Sequence, residues 1–206
     1  LVLLILFGTA FTRPVTQDSR LEEILESLER RYSSTEAFSV DFEQVKSIRQ
    51  LTEPMEITGS LVFRKPHFVR MEIRGEENLN LYVDGEHVWL EDLDFGEVDR
   101  FEFSGSESRP ELARVLPPVF AGGIAELRNL FEAGLDRSGG RETVELVPRS
   151  GQVSPYRRIR FEVGGFSRIT WMKVEFGNGD WVETRFRGWK TLPGISEHYF
   201  RYRKEE

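Results

Sequence analysis

The segment Phe38-Ser-Val-Asp-Phe-Glu-Gln44 gives the clearest indication of the fold class of this 206-residue chain. Its apolar side chains alternate with polar ones, which is the period of an antiparallel β-strand that buries one face and leaves the other in water. The same period recurs in residues 57–63 and 68–73, and Pro66 separates these two runs because proline cannot donate a hydrogen bond to a neighbouring strand. These residues predict neighbouring strands of an antiparallel sheet.

Two more strands, at residues 79–83 and 86–90, flank Asp84-Gly85, a pair that favours the tight turn of a β-hairpin. Ten acidic and only two basic side chains lie between Asp84 and Glu111. We interpret this acidic segment as a solvated rim of loops, with a docking surface for a basic partner as the alternative. Alternation then returns in five later segments: 143–147, 156–163, 168–176, 181–187 and 198–203.

Two regions carry the helical period instead. The first has five apolar residues on one predicted helix face: Leu21, Ile24, Leu25, Leu28 and Tyr32. The second, residues 110–131, predicts two short amphipathic helices separated by Pro117-Pro118 and Gly122-Gly123. Together, the strand and helix patterns predict an α+β fold of about ten strands and three helices. A sheet of this width must curl or be covered, and the helices are the available cover.

The first ten residues differ from the rest of the chain. Residues 1–7 are apolar over about half the length that a transmembrane helix needs, and Gly8-Thr-Ala10 has the small residues that a signal peptidase accepts. We interpret residues 1–10 as a signal-peptide remnant, with a buried N-terminal strand or helix as the alternative. No linker rich in proline, serine or charge divides the remainder, so we expect a single domain over residues 11–206.

The composition excludes several functional classes. Twenty-eight basic and thirty-five acidic side chains give a formal charge of −7, which argues against nucleic acid as a partner. The absence of cysteine excludes disulfides, thiolate metal sites, cysteine nucleophiles and a cysteine-linked lipid anchor.

Catalytic motifs are also missing from the sequence. His67, His87 and His198 lie far apart in the sequence and have no metal-ligand spacing, and neither a nucleophile elbow nor a phosphate-binding glycine loop occurs. We therefore expect no enzymatic activity, no metal site and no cofactor.

One set of apolar positions shares the inward parity of the predicted strands or faces them from the predicted helices. The strand members are Leu61, Phe63, Val69, Met71, Ile73, Leu81 and Val83, and the helix members are Leu25, Leu28, Leu116, Ile124 and Phe131. Two interpretations stay open for this set: an ordinary packed core, and an apolar space between sheet and helices that accepts a ligand.

Four segments in order resemble a known family. They are Phe38-Ser-Val-Asp-Phe-Glu-Gln44, Gly59-Ser-Leu-Val-Phe-Arg-Lys65-Pro66, Phe68-Val-Arg-Met71 and Leu81-Tyr-Val-Asp-Gly85-Glu-His-Val-Trp89. Together they resemble the LolA family of periplasmic lipoprotein carriers, whose signature combines an F-x-x-x-F-x-Q strand, a G-x-L-x-x-x-[KR]-P strand end and an S/V-D-G-x-x-x-W hairpin. The resemblance is specific over residues 21–90 and rests on strand spacing over residues 141–203.

This resemblance implies an open (incomplete) antiparallel β-barrel of about ten to eleven strands, lined by apolar side chains and covered by a lid of about three helices. It further implies a soluble, monomeric periplasmic carrier that shields the acyl chains of lipoproteins in that cavity. The implied partners are acylated lipoproteins, an inner-membrane ABC-type release complex and an outer-membrane acceptor. The alternative is an envelope carrier or sensor for another lipid or glycolipid in the same cavity.

The resemblance also implies a lid that opens, and we place its hinge at four residues: Pro117, Pro118, Gly122 and Gly123. Well-studied members carry an arginine before the strand-end proline that ties the closed lid. This chain has Lys65 there, and an ammonium group lacks the planar five-donor fork of a guanidinium. We expect a weaker lid contact through Lys65, and Arg64 alternates to the opposite face of the strand.

Overall fold

The computed structural model describes residues 19–102, 123–151 and 154–203. Most of them belong to one antiparallel sheet of eleven strands. The strands are β1 (Ala37–Ser47), β2 (Met55–Arg64), β3 (Phe68–Gly75), β4 (Leu79–Val83), β5 (His87–Asp92), β6 (Glu97–Glu102), β7 (Phe131–Asp136), β8 (Thr143–Pro148), β9 (Tyr156–Gly164), β10 (Arg168–Phe176) and β11 (Trp181–Thr191). The described helices are α1 (Ser19–Ser34), α2 (Gly123–Leu130) and two 3₁₀ turns at Ser138–Gly140 and Glu197–Phe200.

The sheet is built from two halves that meet at β1. Strands β1 to β6 form one meander and β7 to β11 form the other, and β11 returns to pair with β1, so the spatial order is β6-β5-β4-β3-β2-β1-β11-β10-β9-β8-β7. Strands β6 and β7 end the two sides of the sheet without pairing to each other. The expected open antiparallel sheet of ten to eleven strands is confirmed.

The alternating pattern in the sequence corresponds to two faces of the sheet, one buried and one exposed to solvent. Val40, Leu61, Met71 and Leu81 are paired in register across β1 to β4, and each is almost completely buried. We call the face that carries them the inner face and the opposite one the outer face. Because side chains alternate along a strand, this register places most apolar residues of these strands on the inner face, whereas Phe68 and Tyr82 alternate to the outer face.

A β-bulge changes the course of the sheet at one end. Residues Ser39 and Asp41 of β1 pair with Lys190 and Arg187, which leaves two residues of β11, Gly188 and Trp189, opposite the single residue Val40. Gly188 adopts a φ of +65°, a left-handed conformation that glycine accepts without a Cβ clash. The bulge reverses the alternation, so that Trp189 packs against Phe38 with 5.1 Å between ring centroids.

Helix α1 covers the inner face as its sequence pattern predicts. Leu21, Ile24, Leu25 and Leu28 are buried in the same apolar cluster as the inner face of the sheet. Helix α2 lies beside α1, and Arg128 of α2 forms an ion pair of 2.9 Å with Glu22 of α1. A lid of three helices is not confirmed, because the described residues contain two α-helices and the third one expected, near 112–116, falls outside them.

Three sequence-based assignments were wrong. Phe131 was expected on a lid helix but begins strand β7, because α2 ends at Leu130 and the apolar residues 131 and 135 face the core with strand spacing. The acidic segment between Asp84 and Glu111 was interpreted as a rim of loops, but in addition to the predicted strand at 86–90 it contains β6, which pairs with β5. The strand expected at 198–203 is a 3₁₀ turn followed by irregular chain.

The C-terminal segment crosses the outer face instead of extending the sheet. Phe200 is fully buried against Phe68, with 5.6 Å between ring centroids. Tyr202 stacks on Trp89 of β5 at 5.2 Å. The segment alternates like a strand, but its aromatic side chains gain more contact against these outward-facing rings than at a sheet edge.

Candidate functional site

The predicted strand residues lie together on the inner face. Leu61, Val69, Met71, Ile73, Leu81 and Val83 are all buried in one apolar cluster. Leu25 and Leu28 of α1 belong to the same cluster, so sheet and helix bury these side chains against one another. The sequence therefore identified a real and continuous apolar layer, which these side chains occupy.

Phe63 differs from the other predicted strand residues in its exposure. It is only partly buried, and it packs on the edge of the cluster with 5.4 Å between its ring centroid and that of Phe38. Phe63 thus marks the end of the apolar layer, close to the turn between β2 and β3.

The remaining predicted site residues lie in three places: on strand β7, on helix α2, and outside the described part of the chain. Phe131 is buried in the cluster, although from strand β7. Gly123 and Ile124 lie in the first turn of α2. Leu116, Pro117, Pro118 and Gly122 fall outside the described residues.

Lys65 contacts the end of helix α1. Its Nζ donates a hydrogen bond of 2.7 Å to the carbonyl oxygen of Ser33, in the last turn of that helix. A cation at a helix C-terminus is favourable because the carbonyl groups there have no partner within the helix. Arg64 points to the outer face as expected and forms ion pairs with Glu36 and Glu197.

Sequence reasoning missed the half of the inner face that β8 to β11 supply. Their buried members are Val144, Leu146, Ile159, Phe161, Ile169, Met172, Val174, Phe176 and Phe186. The alternation of these strands was visible, but the pairing of β11 with β1, which joins them to the first half of the sheet, could not be identified from sequence alone. The apolar layer is accordingly about twice as wide as the predicted set.

A buried polar pair interrupts this layer. Gln44 is 5% exposed and Thr184 is 4% exposed, and Gln44 Nε2 donates a hydrogen bond of 2.8 Å to Thr184 Oγ1. The two residues face each other across β1 and β11, so each satisfies the other in an apolar environment. This pair therefore places a buried, hydrogen-bonded polar contact within the otherwise apolar inner face.

Burial raises the pKa of two tyrosine hydroxyls near this layer. Tyr156 packs between Phe131 and Phe176, and burial raises the pKa of its hydroxyl to about 12. Burial likewise raises the pKa of Tyr32 of α1 well above its ordinary value. Because the ionised forms would lack solvation there, these hydroxyls stay neutral under physiological conditions.

Two hollows that described residues line lie away from the centre of the inner face. One is an open groove of about 420 Å³ on the outer face, where charged residues such as Asp41, Glu43 and Arg187 line it and Glu43 pairs with Arg187 at 2.8 Å. The other is a narrow cleft at the C-terminal end of α1.

The described residues offer neither a metal-binding cluster nor a membrane-spanning helix. Within those ranges, no three acidic, histidine or cysteine side chains come together to hold a metal ion. Neither α1 nor α2 has the length and apolarity needed to cross a membrane.

The apolar inner face and its helical cover agree with the family that the sequence motifs resembled. A family model described as "Outer membrane lipoprotein carrier protein LolA" matches residues 33–203. The chain belongs to the LolA family. In this LolA-family protein, Gln44 of the signature strand is the residue that bonds Thr184, and the signature lysine before Pro66 is the residue that binds the end of α1.

Solved structures resemble this chain at low sequence identity. A DUF1329 family protein from Desulfovibrio piger has a TM-score of 0.50 and 11% identity, and the match covers 88% of this chain and 97% of that one. A LolA superfamily protein from Nitrosomonas europaea has a TM-score of 0.46 and 10% identity, covering 88% and 97%. The lipoprotein LppX from Mycobacterium tuberculosis has a TM-score of 0.46 and 11% identity, covering 87% and 100%. No curated protein sequence matches the chain.

Proposed function

We propose that this LolA-family protein is a periplasmic carrier that shields the acyl chains of lipoproteins between its sheet and its helices and ferries them from the inner to the outer membrane. The observation that carries the proposal is the continuous apolar inner face, which spans both halves of an unclosed sheet and lies under helix α1. The family membership supports the same function.

The chemistry of the inner face suits acyl chains. Leu61, Met71 and Leu81 form its central row, and such side chains make contacts without fixed direction. Each buried methylene contributes about 0.8 kcal/mol, so an acyl chain of roughly fifteen methylenes gains on the order of 12 kcal/mol on leaving water. An apolar lining therefore supplies enough free energy to hold a flexible cargo without a shaped pocket.

Cargo entry requires the helices to separate from the sheet, because side chains occupy the interior of this structure. Two polar contacts that link α1 to the ends of strands are exposed: Arg20 with Glu142 at 2.9 Å, and Lys65 with the Ser33 carbonyl at 2.7 Å. Exposed contacts of this kind hold a helix only weakly, because water competes for both partners. As the helices separate from the sheet, the acyl chain takes over the apolar surface that each had covered.

The lid hinge belongs to the same proposal. Helix α2 begins at Gly123, directly after the residues Pro117, Pro118 and Gly122 at which we place the hinge. We expect hydrogen exchange of α1 and α2 amides to change when cargo binds. Identical exchange with and without lipid would contradict the opening step.

The energy for loading and unloading must come from partners. The sequence has no nucleotide-binding motif, so loading depends on a release complex in the inner membrane, and unloading depends on an acceptor that binds the cargo more tightly. Reversible apolar binding is compatible with such a transfer because it leaves no specific bond to break.

The decisive experiment is a release assay. Inner-membrane vesicles that hold radiolabelled lipoprotein are incubated with or without the purified protein, and label is counted in the supernatant. We expect release only in the presence of the protein, and no release would contradict the lipoprotein carrier function. Native mass spectrometry of the purified protein then tests the alternative, because a co-purified phospholipid or glycolipid in place of lipoprotein would identify another envelope lipid as cargo.

A further inference from the structure

The loop between β9 and β10 presents an aromatic ring to solvent. It consists of Gly165, Phe166 and Ser167, and the Phe166 side chain is 84% exposed. Phe166 has a φ of +60° and Ser167 a φ of +53°. A left-handed backbone is unusual for any residue with a Cβ and is an outlier for a bulky one, so glycine or asparagine would fit the loop better. Neither packing nor backbone geometry accounts for phenylalanine here.

Three cations lie beside this loop. Arg31 of α1, Arg168 of β10 and Lys190 of β11 line one narrow cleft, together with Ser167. The guanidinium carbon of Arg168 lies 5.8 Å from the centre of the Phe166 ring. Three cations from three separate elements therefore converge next to one exposed aromatic side chain.

These cations also lack anionic partners. Within the described part of the chain, no carboxylate lies within ion-pair distance of Arg31, Arg168 or Lys190, whereas Arg20, Arg64, Arg128, Arg158, Arg160 and Arg187 each form an ion pair. The Nε of Arg168 is buried and has no hydrogen-bond partner there. A buried donor of this kind is costly when it stays unpaired, so the cluster favours a negatively charged oxygen as its ligand.

We infer that Phe166 and the cluster of Arg31, Arg168 and Lys190 form a docking surface for a membrane that carries anionic phospholipid. Phosphate groups of the lipids pair with the three cations, and the phenylalanine ring enters the interface between headgroups and acyl chains. This combination of basic side chains with an aromatic residue is the one that binds proteins to anionic membrane surfaces.

The charge of the whole chain does not prevent this docking. The formal charge is −7, but charges farther than about 10 Å from the membrane are largely screened at physiological salt. Two carboxylates on adjoining segments are paired: Glu162 of β9 with Arg141 at 3.5 Å, and Glu36, which follows the cleft residue Thr35, with Arg64 at 3.4 Å. The local field at the loop is therefore positive.

The turn between β5 and β6 supplies a natural control. Phe95 is 79% exposed in this turn, but its neighbours are Asp92, Asp94 and Glu97. An anionic membrane would be repelled from that turn. If an exposed phenylalanine were sufficient for membrane binding, the loops of Phe95 and Phe166 would both bind. Because the proposed docking surface also requires the three cations, we expect only the loop of Phe166 to bind.

The test uses cargo-free protein and vesicles, so its result does not depend on the carrier function. Co-sedimentation is measured with vesicles of phosphatidylcholine alone and with vesicles of equal parts phosphatidylcholine and phosphatidylglycerol. We expect binding to the mixed vesicles, little binding to the neutral ones, and weaker binding as salt is raised.

Two pairs of matched variants test the residues. Phe166→Gly should lower binding to mixed vesicles at least about fivefold. The Tm of this variant should stay equal or rise, because glycine relieves the left-handed backbone. The control Phe95→Ser should bind like the wild type. The double variant Arg168→Gln with Lys190→Gln should lose on the order of 25-fold, at about fivefold for each charge. Arg157→Gln with Arg185→Gln removes the same charge from exposed positions elsewhere and should lose far less.

Several outcomes would overturn the inference. They are no binding to mixed vesicles, equal binding to neutral and mixed vesicles, wild-type binding by Phe166→Gly, or equal losses for the two double variants. Circular dichroism and thermal unfolding of each variant ensure that lost binding is not lost folding.

Discussion

The ring of Phe42 occupies the space that a side chain at Gly59 would need. The two residues face each other across β1 and β2, and a Cβ built on Gly59 would lie 2.8 Å from Cε1 of Phe42 and closer still to Cζ and to the main-chain oxygen of Glu72. Glycine is therefore required here by close approach and not by a turn. It lets the Phe42 ring approach the main chain of β2 closely on the inner face.

A methyl group at this position should destabilise the protein. We expect Gly59→Ala to lower the free energy of unfolding in urea by about 2 kcal/mol or more, because the main-chain oxygen of Glu72 cannot move away without disrupting β3. Gly134→Ala is the control, since Gly134 also lies in a strand and has no atom within 4 Å of its built Cβ. Equal effects of the two substitutions would show that the close contact has no energetic consequence.

The contact between Lys65 and the end of α1 should stabilise the cover of the inner face. Lys65→Met removes the donor to the Ser33 carbonyl, and we expect a loss of about 1 kcal/mol in urea unfolding. Lys65→Arg retains a donor and a charge and should lose less. If Lys65→Met unfolds at the same urea concentration as the wild type, the contact does not hold the helix.

The buried hydroxyl of Tyr156 should make stability depend on alkaline pH. Its pKa is about 12 in the folded protein and about 10 when unfolded, so the folded state retains the proton over that interval. The contribution is fully present below pH 10 and is lost as the pH rises toward 12, at up to about 1.4 kcal/mol per pH unit. Tyr156→Phe should flatten this part of the curve measured by urea unfolding. Tyr32, whose pKa is also raised, contributes in the same direction to both proteins. Parallel curves for the two proteins would contradict the assignment to Tyr156.

The proposed carrier function predicts an effect of charge at the end of the apolar layer. Phe63→Glu places a carboxylate beside Phe38, and because Phe63 is only partly buried we expect the variant to fold. Its uptake of a fluorescent acyl probe should fall at least about tenfold, since a carboxylate in apolar surroundings repels the chain.

Two controls accompany that measurement. Thr58→Glu introduces the same charge at an exposed position of the same strand and should bind the probe like the wild type. Phe63→Leu keeps the position apolar and should also retain uptake. Unchanged uptake by Phe63→Glu would mean that the acyl chain does not reach this part of the interior.

The wrong assignments share a physical cause. Phe131 suits both the helical period that ends at Leu130 and the strand period that continues to residue 135, and only pairing with β8 decides between them. Tyr202 alternates with Phe200 as in a strand, but stacking on Trp89 places it on the outer face. Local periodicity cannot contain this information, because the deciding contacts come from residues far away in the chain.

Local patterns in the sequence were enough to predict the strands 38–44, 57–63 and 68–73, the hairpin at Asp84-Gly85, the amphipathic face of α1 and the family to which they belong. These features depend on periods of two and 3.6 residues and on the residue types in turns, all of which are set by residues that are close together in the sequence. Three further features became visible in the folded chain alone: β11 returns to β1, a bulge at Gly188 turns Trp189 inward, and Gln44 contacts Thr184. Each of those contacts joins residues more than a hundred positions apart, and their formation depends on the register of the whole sheet.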